Sequence, residues 1–348
     1  MSAPALPRGV ASGLGAAVLF GVSTPFAKLL LPSSGPLMLA GLLYLGAGIG
    51  LTMIAPFRRA DREAPLRPGD LPTLAAMVVV GGIAGPLLLL AGLARLPGGE
   101  ASLLLNLEAP FTIGIAVLLF GESLARREVV GAAAVVLGGV VLASGPSEGS
   151  LHTLGALAVG GASLAWSIDN NLSQRLSLRD PVAVTQVKTL VAGSVNVAAA
   201  MAMGNQLPAA MPLGGALATG FLGYGLSIVL HLVALRHIGA ARQAAYLATA
   251  PFIGAVASVP ILGEQLTWKE AGAGWMMAAG VTVLVRARHG HRHVHEAVEH
   301  DHAHSHDEHH SHQHGQGMPP EPHSHLHRHE PLAHDHPHQP DPHHRHRH

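Results

Sequence analysis

The sequence predicts an all-α polytopic membrane protein: ten transmembrane helices arranged as two inverted five-helix repeats, followed by a disordered C-terminal tail. Three observations predict this class. Of the 348 residues 49% are hydrophobic, only 12% are charged, and the charges fall in short clusters between long apolar stretches. Soluble proteins carry roughly 25% charged residues. The mean hydropathy of +0.34 agrees, and together these values exclude a soluble enzyme.

Ten segments are long and apolar enough to cross a bilayer, which takes about 20 mostly apolar residues. The fifth and the tenth are short, but charged side chains flank both and can extend to the interface. The predicted spans are 10–31, 37–56, 71–94, 101–120, 129–144, 154–172, 182–202, 213–235, 244–262 and 267–285. We divide the chain into an N-terminus (1–9), repeat 1 (10–144), a linker (145–153), repeat 2 (154–286) and the tail (287–348).

The positions of Lys and Arg between the spans predict the orientation. With the N-terminus inside, the cytoplasmic segments hold thirteen arginines, and the other face holds only Lys28, Arg95 and Lys269. Positive charge marks the cytoplasmic side, and an even number of spans returns the chain to it. Both termini should therefore be cytoplasmic. The 18 arginines against three lysines are typical of a GC-rich bacterium, so we expect its inner membrane.

Two short motifs recur in order and indicate an internal repeat. Ala-Pro-Phe at 109–111 returns at 250–252, 141 positions later, and Gly-Glu-x-Leu at 121–124 returns at 263–266, 142 positions later. Earlier matches, at an offset of 145–146, are Pro36 with Pro181 and Phe20 with Trp166. Each copy has five spans. Because five is odd, the second copy must enter the membrane from the opposite face, which is the inverted repeat of many carriers.

These motifs resemble the EamA-type repeat of the drug/metabolite transporter superfamily. The resemblance covers roughly residues 9–286 and is carried by Leu107-Glu108-Ala109-Pro110-Phe111, Gly121-Glu122-Ser123-Leu124, Gly131 to Gly139, Thr249-Ala250-Pro251-Phe252 and Gly263-Glu264-Gln265-Leu266. It implies a ten-helix secondary transporter, commonly an exporter of small metabolites or amino-acid-like solutes. The second copy departs from the pattern, since Thr249 stands where the first has Glu108. The resemblance does not account for the tail.

Four ionisable residues qualify as lying at mid-bilayer, away from the interfacial ends of the predicted spans: Glu108, Asp169, Lys188 and His231. Each costs about 2.5–3.5 kcal/mol at mid-bilayer unless it is paired or faces water. Helical periodicity places polar neighbours beside three of them. The stripes are Ser167, Asn170, Asn171 and Gln174, with Asp169 at the margin, in span 6; Thr185, Lys188, Thr189 and Asn196 in span 7; and Tyr224, Ser227 and His231 in span 8. We expect these faces to line a common cavity.

The candidate substrate-binding or coupling residues follow from these stripes. They are Glu108, Asp169, Asn170, Asn171, Thr185, Lys188, Tyr224 and His231. Lys188 requires a counter-charge, which either Asp169 or Glu108 could supply. Glu108 precedes Pro110, whose missing amide loosens the helix, and it is either a packed structural residue or a proton-coupling carboxylate. For the other polar groups, the alternative role is to bond the helices to one another.

The tail holds 23 of the 26 histidines and almost no apolar residues, so we expect it to be disordered. Alternating imidazoles favour Ni²⁺, Co²⁺ and Zn²⁺. The candidate ligands are His289, His291, His293, His300, His302, His304 and His306. The alternative is a low-complexity extension that binds metal incidentally.

Two functions follow. We favour a secondary exporter of a small organic solute that works by alternating access, with proton coupling as an option. The alternative is a divalent transition-metal transporter or a membrane-anchored metal buffer that uses the tail. Enzymatic activity is not expected, because no nucleophile and base are paired, no cofactor motif is present and the chain has no cysteine. No cofactor is required, nucleic acid is not a partner, and membrane lipid and a homodimer are expected contacts.

Overall fold

Helices occupy all ten predicted spans in the computed structural model. It describes residues 8–57, 64–120, 126–144, 150–176, 179–286, 289–295, 298–304, 323–329 and 332–338. Spans 1 to 10 are formed in turn by α1 (Arg8–Ser34), α2 (Pro36–Ile54), α3 with α4 (Leu71–Met77, Gly85–Leu93), α5 with α6 (Gly98–Leu104, Glu108–Phe120), α7 (Arg126–Ala143), α8 (Ser150–Leu176), α9 (Pro181–Ala202), α10 with α11 (Ala210–Gly220, Ser227–Leu247), α12 (Ala250–Leu262) and α13 (Trp268–Arg286).

Within the described residues, seven of these spans are long and apolar enough to cross a membrane by themselves. The other three, spans 4, 5 and 10, are helical at the predicted places. Spans 5 and 10 begin on charged turns that contain Glu128 and Glu270 respectively. Large apolar side chains are exposed along many spans, for example Leu29, Val79 and Val141. In a bilayer such side chains face lipid, so the chain is a multi-pass membrane protein.

The packing of the spans follows the predicted repeat. Span 1 packs against spans 8 and 9, and span 6 packs against spans 3 and 4. Spans 2 and 7, 4 and 9, and 5 and 10 pair with each other. If every span is replaced by its counterpart five places along the chain, so that span 1 becomes span 6 and span 8 becomes span 3, the same set of pairs results. A pseudo-two-fold axis that relates the repeats requires this pattern.

Helix irregularities also fall at matching places in the two repeats. Span 3 contains a π-helical segment, Val78–Ala84, and span 8 contains another, Phe221–Leu226. Neither was predicted; each contains two glycines, which weaken a helix locally. Span 4 narrows to a 3₁₀ turn at Leu105–Leu107, directly before Glu108, which confirms the loosening expected at Pro110. Further 3₁₀ turns occur at Ala55–Phe57 and Pro68–Asp70.

Glycine allows neighbouring spans to approach each other closely. A Cβ at Gly46 in span 2 would lie 2.2 Å from the backbone oxygen of Leu217 in span 8. Two element boundaries differ from the prediction. Span 6 begins at Ser150, before the predicted residue 154, and α11 continues to Leu247 instead of ending at 235. The chain nevertheless reverses direction within this helical stretch, because Gly223 lies beside Ser23 of α1, Ile238 beside Gly9, and Ala250 again beside Gly21. The two apolar segments on either side of the reversal are Ala210–Ile238 and Ala245–Leu262, close to the predicted 213–235 and 244–262.

The prediction that the tail lacks regular structure is wrong for four segments. These are β1 (His289–His295), β2 (Val298–His304), β3 (His323–His329) and β4 (Leu332–His338). β1 pairs with β4 and β2 with β3, both antiparallel. Histidine recurs at every second position, which is the period of a strand, and the registers place His291 opposite His336 and His302 opposite His325. The predicted metal ligand His306 lies outside the described residues.

Candidate functional site

A buried ion pair joins spans 6 and 7. Lys188 Nζ lies 2.5 Å from Asp169 Oδ2, and the two side chains are 3% and 8% exposed. This answers the question that the sequence left open, since the counter-charge is Asp169 and not Glu108. Asp169 Oδ1 is buried, and it has no hydrogen-bond partner within the described part of the chain. Among the described contacts, the pair therefore retains one carboxylate oxygen that accepts no hydrogen bond.

Local sequence sets the depth of Lys188. The Asp180 side chain accepts a hydrogen bond from the Val182 amide at 3.0 Å, and Pro181 occupies the first turn of α9. This combination of cap and proline fixes the start of a helix. Lys188 then lies two turns further on, roughly 11 Å along the axis at 1.5 Å per residue. The cation is thereby held inside the membrane and away from the interface.

The π-helical segment of span 3 makes room for the Asp169 carboxylate. A Cβ at Gly81 would lie 2.2 Å from Asp169 Cγ and 2.4 Å from Oδ1, so only glycine fits there. The Gly81 carbonyl accepts hydrogen bonds from the Tyr44 hydroxyl at 2.7 Å and from Trp166 Nε1 at 3.1 Å. Gly81 thus connects spans 2, 3 and 6 around the ion pair.

Four aromatic rings, which we call the aromatic cluster, lie beside this pair: Phe20, Tyr44, Trp166 and Tyr224. Phe20 meets Trp166 at 5.5 Å and Tyr224 at 5.9 Å, both edge to face. Tyr44 and Tyr224 meet at 5.5 Å between centroids. The cluster draws rings from spans 1, 2, 6 and 8, so both repeats contribute. Of these residues, only Tyr224 was predicted as a site residue.

Glu108 forms a second polar contact with span 6. Its Oε1 accepts a hydrogen bond from Asn170 Nδ2 at 2.5 Å, and its backbone oxygen accepts from Ser167 Oγ at 2.9 Å. Two members of the predicted stripe of span 6 therefore bind repeat 1 through the loosened part of span 4. The carboxylate is close to the ion pair but bonded separately from it.

The remaining predicted residues, Asn171, Thr185 and His231, bond to groups of their own repeat. Asn171 donates to the Ser167 carbonyl at 2.8 Å, and Thr185 donates to the Pro181 carbonyl at 2.7 Å, each within its own helix. His231 Nδ1 is 2.8 Å from Gln243 Nε2. In this conformation these three side chains are engaged in hydrogen bonds with the protein. The roles of Asn171, Thr185 and His231 in transport stay predictions. Nothing is described of the Gln174 side chain.

A cavity of about 270 Å³ lies away from these residues. Its lining is Ala245, Ala248, Thr249, Phe252, Ala278, Val281 and Thr282. Thr249 is the counterpart of Glu108 in repeat 2, so the cavity adjoins the second Ala-Pro-Phe motif. None of the predicted substrate-binding residues lines it. Across the described residues, the structure brings together no group of three or more His, Asp or Glu suited to holding a metal.

Sequence reasoning missed Gly81, Tyr44, Trp166 and Phe20 as parts of the site. A double glycine at 81–82 within span 3 permits close approach of a neighbouring helix, and this was the signal that the sequence offered for Gly81. Trp166 and Phe20 were used only to align the repeats, although they meet in the structure. Aromatic residues make up only 4% of the chain, so their rarity inside the spans was a weak signal, and their gathering beside the ion pair is visible only in the structure.

Ten helical spans in two repeats, a buried charge pair within repeat 2, and an aromatic cluster to which both repeats contribute define a polytopic membrane carrier. Comparison with known proteins agrees with this class. The family model of the EamA-like transporter family matches residues 7–144 and 153–286. The chain belongs to this family, and the two matched stretches correspond to its two repeats. It is a membrane transporter, and its substrate is a small-molecule solute.

The relatives share the overall length of the membrane body. An uncharacterized transporter of Methanothermobacter thermautotrophicus is 31% identical over 297 residues, covering 79% of this chain and 85% of the relative. The uncharacterized inner membrane transporter YedA of Escherichia coli K12 is 27% identical over 251 residues, covering 71% and 79%. One solved structure, named only as a protein, has a TM-score of 0.59 at 17% identity and covers 80% of this chain and 98% of its own. That likeness concerns the fold alone.

Proposed function

We propose that the protein is a secondary active exporter of a small zwitterionic solute, such as an amino-acid-like metabolite, and that it works by alternating access. The observation that carries the proposal is the buried Lys188–Asp169 pair, with its second carboxylate oxygen unbonded among the described residues. Buried ion pairs contribute little net stability, because desolvation offsets their attraction. A functional role explains why such a pair is kept inside the membrane.

The chemistry of the pair matches a zwitterion. A solute ammonium group fits Asp169, and a solute carboxylate fits Lys188. Binding of the solute therefore replaces the one Lys188–Asp169 ion pair with two ion pairs between the solute and the protein. The net charge of the site is zero both when empty and when loaded. Neither state then strands a single charge in a low-dielectric interior. The carrier can therefore turn the site from one face of the membrane to the other both when the site is empty and when it is loaded.

Glu108 supplies the proton-coupling step in this proposal. It accepts from Asn170 but has no cation of its own in the described contacts. A carboxylate in such a place can bind a proton in one access state and release it in the other. Proton entry from outside would then drive solute export.

Orientation, location and partners complete the proposal. The bias of thirteen arginines against three basic residues supports cytoplasmic termini, and the naming of YedA as an inner membrane transporter supports the same membrane for this chain. We expect lipid to cover the exposed apolar side chains. A homodimer stays a prediction.

Metal handling is the second candidate function, and the tail carries it. The strand registers place histidines opposite histidines, at His289 with His338 and at His300 with His327 among others. Imidazole suits Ni²⁺, Co²⁺ and Zn²⁺. A tail of this kind can act as a cytoplasmic metal buffer that is anchored to an organic-solute carrier. Alternatively, it can deliver metal to a transport pathway through the membrane body.

The experiment compares single and double variants in proteoliposomes. Lys188→Met and Asp169→Asn each strand one buried charge and should destabilise the fold by about 3–5 kcal/mol. The double variant removes both charges and should fold, but should lose uptake of a panel of radiolabelled amino acids. The matched control neutralises the Asp70–Arg179 pair, whose charged atoms are 2.9 Å apart and which joins the two repeats, with Asp70→Asn and Arg179→Gln, and should retain uptake. A folded Lys188→Met/Asp169→Asn variant with full uptake would show that the pair is structural only.

A further inference from the structure

A contact between the repeats lies at the end of the bundle opposite to most arginines, the predicted outer face. Glu264 follows span 9 in repeat 2, and its Oε1 and Oε2 accept hydrogen bonds from the amides of Gly98 at 2.7 Å and Gly99 at 2.9 Å. These two glycines begin span 4 in repeat 1. Glu264 belongs to the recurring Gly-Glu-x-Leu motif, which the transport site does not use.

Lys28 of span 1 completes this contact. Its Nζ donates to the carbonyls of Leu93, at 3.4 Å, and Leu96. It also lies 3.8 Å from Glu264 Oε1, and the two side chains are 24% and 22% exposed. Lysine therefore binds the carbonyls that end span 3, while glutamate binds the amides that begin span 4. We call Lys28, Glu264 and the turn 93–99 the outer clasp.

The polarity of the outer clasp matches the helix ends. Free carbonyls at a helix C-terminus attract cations, and free amides at an N-terminus attract anions. The hydrogen bonds are charge-assisted, and such bonds are roughly twice as strong as neutral ones. Glycine is needed for the approach, because a Cβ at Gly98 would lie 2.6 Å from Leu262 Cδ1 in span 9.

A second contact between the repeats lies close by. His152 Nε2 at the start of span 6 is 3.0 Å from Glu100 Oε1 in the first turn of span 4. Below the outer clasp, Ser102 of span 4 is fully buried, and a Cβ at Gly254 of span 9 would lie 2.7 Å from its Oγ. Span 4 is thus held from two sides, and the two repeats are closed together at this face.

The repeat makes the outer clasp asymmetric. The offset of 146 that pairs Phe20 with Trp166 also pairs Lys28 with Gln174. Repeat 2 therefore has an uncharged side chain where repeat 1 has the lysine. The Glu122 of the first Gly-Glu-x-Leu motif lies outside the described residues.

We propose that the outer clasp is the lock that holds the outer face of the carrier closed. Opening to the outside separates Glu264 from Gly98 and Gly99, and the loss of these charge-assisted bonds sets the free-energy difference between the closed and open states. The proposal does not depend on which solute is carried. It assigns the second Gly-Glu-x-Leu motif to gating and not to the binding of solute.

The chain has no cysteine, so a single introduced cysteine reports on access. We choose Ser102→Cys in the full-length protein in proteoliposomes and measure its rate of reaction with a membrane-impermeant thiol reagent from the outer face. With the outer clasp intact, the rate should be low. Adding Glu264→Gln should raise it roughly tenfold or more, because a hydrogen bond to a charged group contributes about 1.5–3 kcal/mol.

The matched control is Glu270→Gln. Glu270 lies on the same face, but its Oε2 accepts from the Thr267 amide and hydroxyl of its own repeat, at 2.6 and 2.8 Å. This variant should leave the labelling rate unchanged. An equal rise in both variants, or no rise in a Glu264→Gln protein that is monodisperse on gel filtration, overturns the proposal. If Glu264→Gln does not fold, Lys28→Met takes its place, with a smaller rise expected and an unchanged rate counting against the lock.

A charge swap separates the outer clasp from an ordinary ion pair. The Lys28→Glu and Glu264→Lys double variant keeps opposite charges together but places an anion against carbonyls and a cation against amides. Labelling of Ser102→Cys should therefore stay fast in the double variant. If the swap restores slow labelling, the helix ends play no part and the proposed lock is wrong.

Discussion

Gly81 lies so close to Asp169 that an added Cβ would stand 2.2 Å from the carboxylate carbon. The absence of a side chain on span 3 therefore gives the acid its place beside Lys188. The Gly81 carbonyl is also fixed by Tyr44 and Trp166, so the backbone has little freedom to retreat. An ion pair that would be costly elsewhere in the membrane is positioned by a residue with no chemistry of its own.

The first prediction concerns Gly81→Ala. Overpacking a well-packed site costs about 1–3 kcal/mol, and here the displaced atoms belong to the ion pair. We expect a lower thermal unfolding temperature in detergent and the loss of solute uptake. Gly114→Ala in span 4 is the control, because nothing lies within 4 Å of its added Cβ. Equal stability and uptake in the two variants would contradict this position of the Asp169 carboxylate.

The second prediction concerns Glu108→Gln. The amide can still accept from Asn170, so the fold should be kept, but it cannot bind and release a proton. A pH gradient should then no longer drive accumulation of the solute. With one coupled proton, the gradient can otherwise raise the solute concentration ratio across the membrane by up to about tenfold per pH unit. Exchange of labelled for unlabelled solute should continue. Glu128→Gln, on the first turn of α7, serves as the control, and proton-driven accumulation that survives Glu108→Gln would remove Glu108 from coupling.

The third prediction concerns the inverted topology. Single cysteines placed by Ser123→Cys and Gln265→Cys lie in matching motifs of the two repeats. Because each repeat has five spans, an impermeant thiol reagent should reach the first from the cytoplasmic face and the second from the outer face. Labelling of both from the same face would contradict the arrangement and, with it, the outer position of the clasp.

The fourth prediction concerns the tail. Truncation after Arg288 removes 23 of the 26 histidines, starting with His289, which opens the first strand. We expect Ni²⁺ binding measured by calorimetry to fall to background, and amino-acid uptake to stay within about twofold of the full chain, since both family-matched repeats and the proposed binding residues lie before residue 287. If truncation instead abolishes metal flux while Lys188→Met/Asp169→Asn leaves it intact, the organic-solute function is wrong.

Much of the architecture was predictable because hydropathy and repeats are local properties of a chain. Spans of about 20 apolar residues must become helices in a bilayer, where every backbone polar group needs an internal partner. The break before Glu108 follows from one missing amide at Pro110. The buried positions of Lys188 and Asp169 were also predictable, since charge inside an apolar span is conspicuous.

The partners of the site residues were not predictable in the same way. Helical period placed Asp169 only at the margin of the polar stripe of span 6, and Lys188 had two acids within plausible reach. The π-helical segments of spans 3 and 8 change the rotation of everything beyond them. A straight-helix projection cannot show which side chains then meet.

The sequence by itself determined the ten spans, the two inverted copies, the transporter family and the rare charges inside the membrane. Only the tertiary structure decided that Lys188 pairs with Asp169, that Gly81 accommodates the carboxylate, that four aromatic rings gather there and that Glu264 binds the start of span 4. The physical reason is range. Hydrophobicity acts residue by residue along the chain, whereas these contacts join groups up to 166 positions apart and depend on how each helix is rotated against its neighbours.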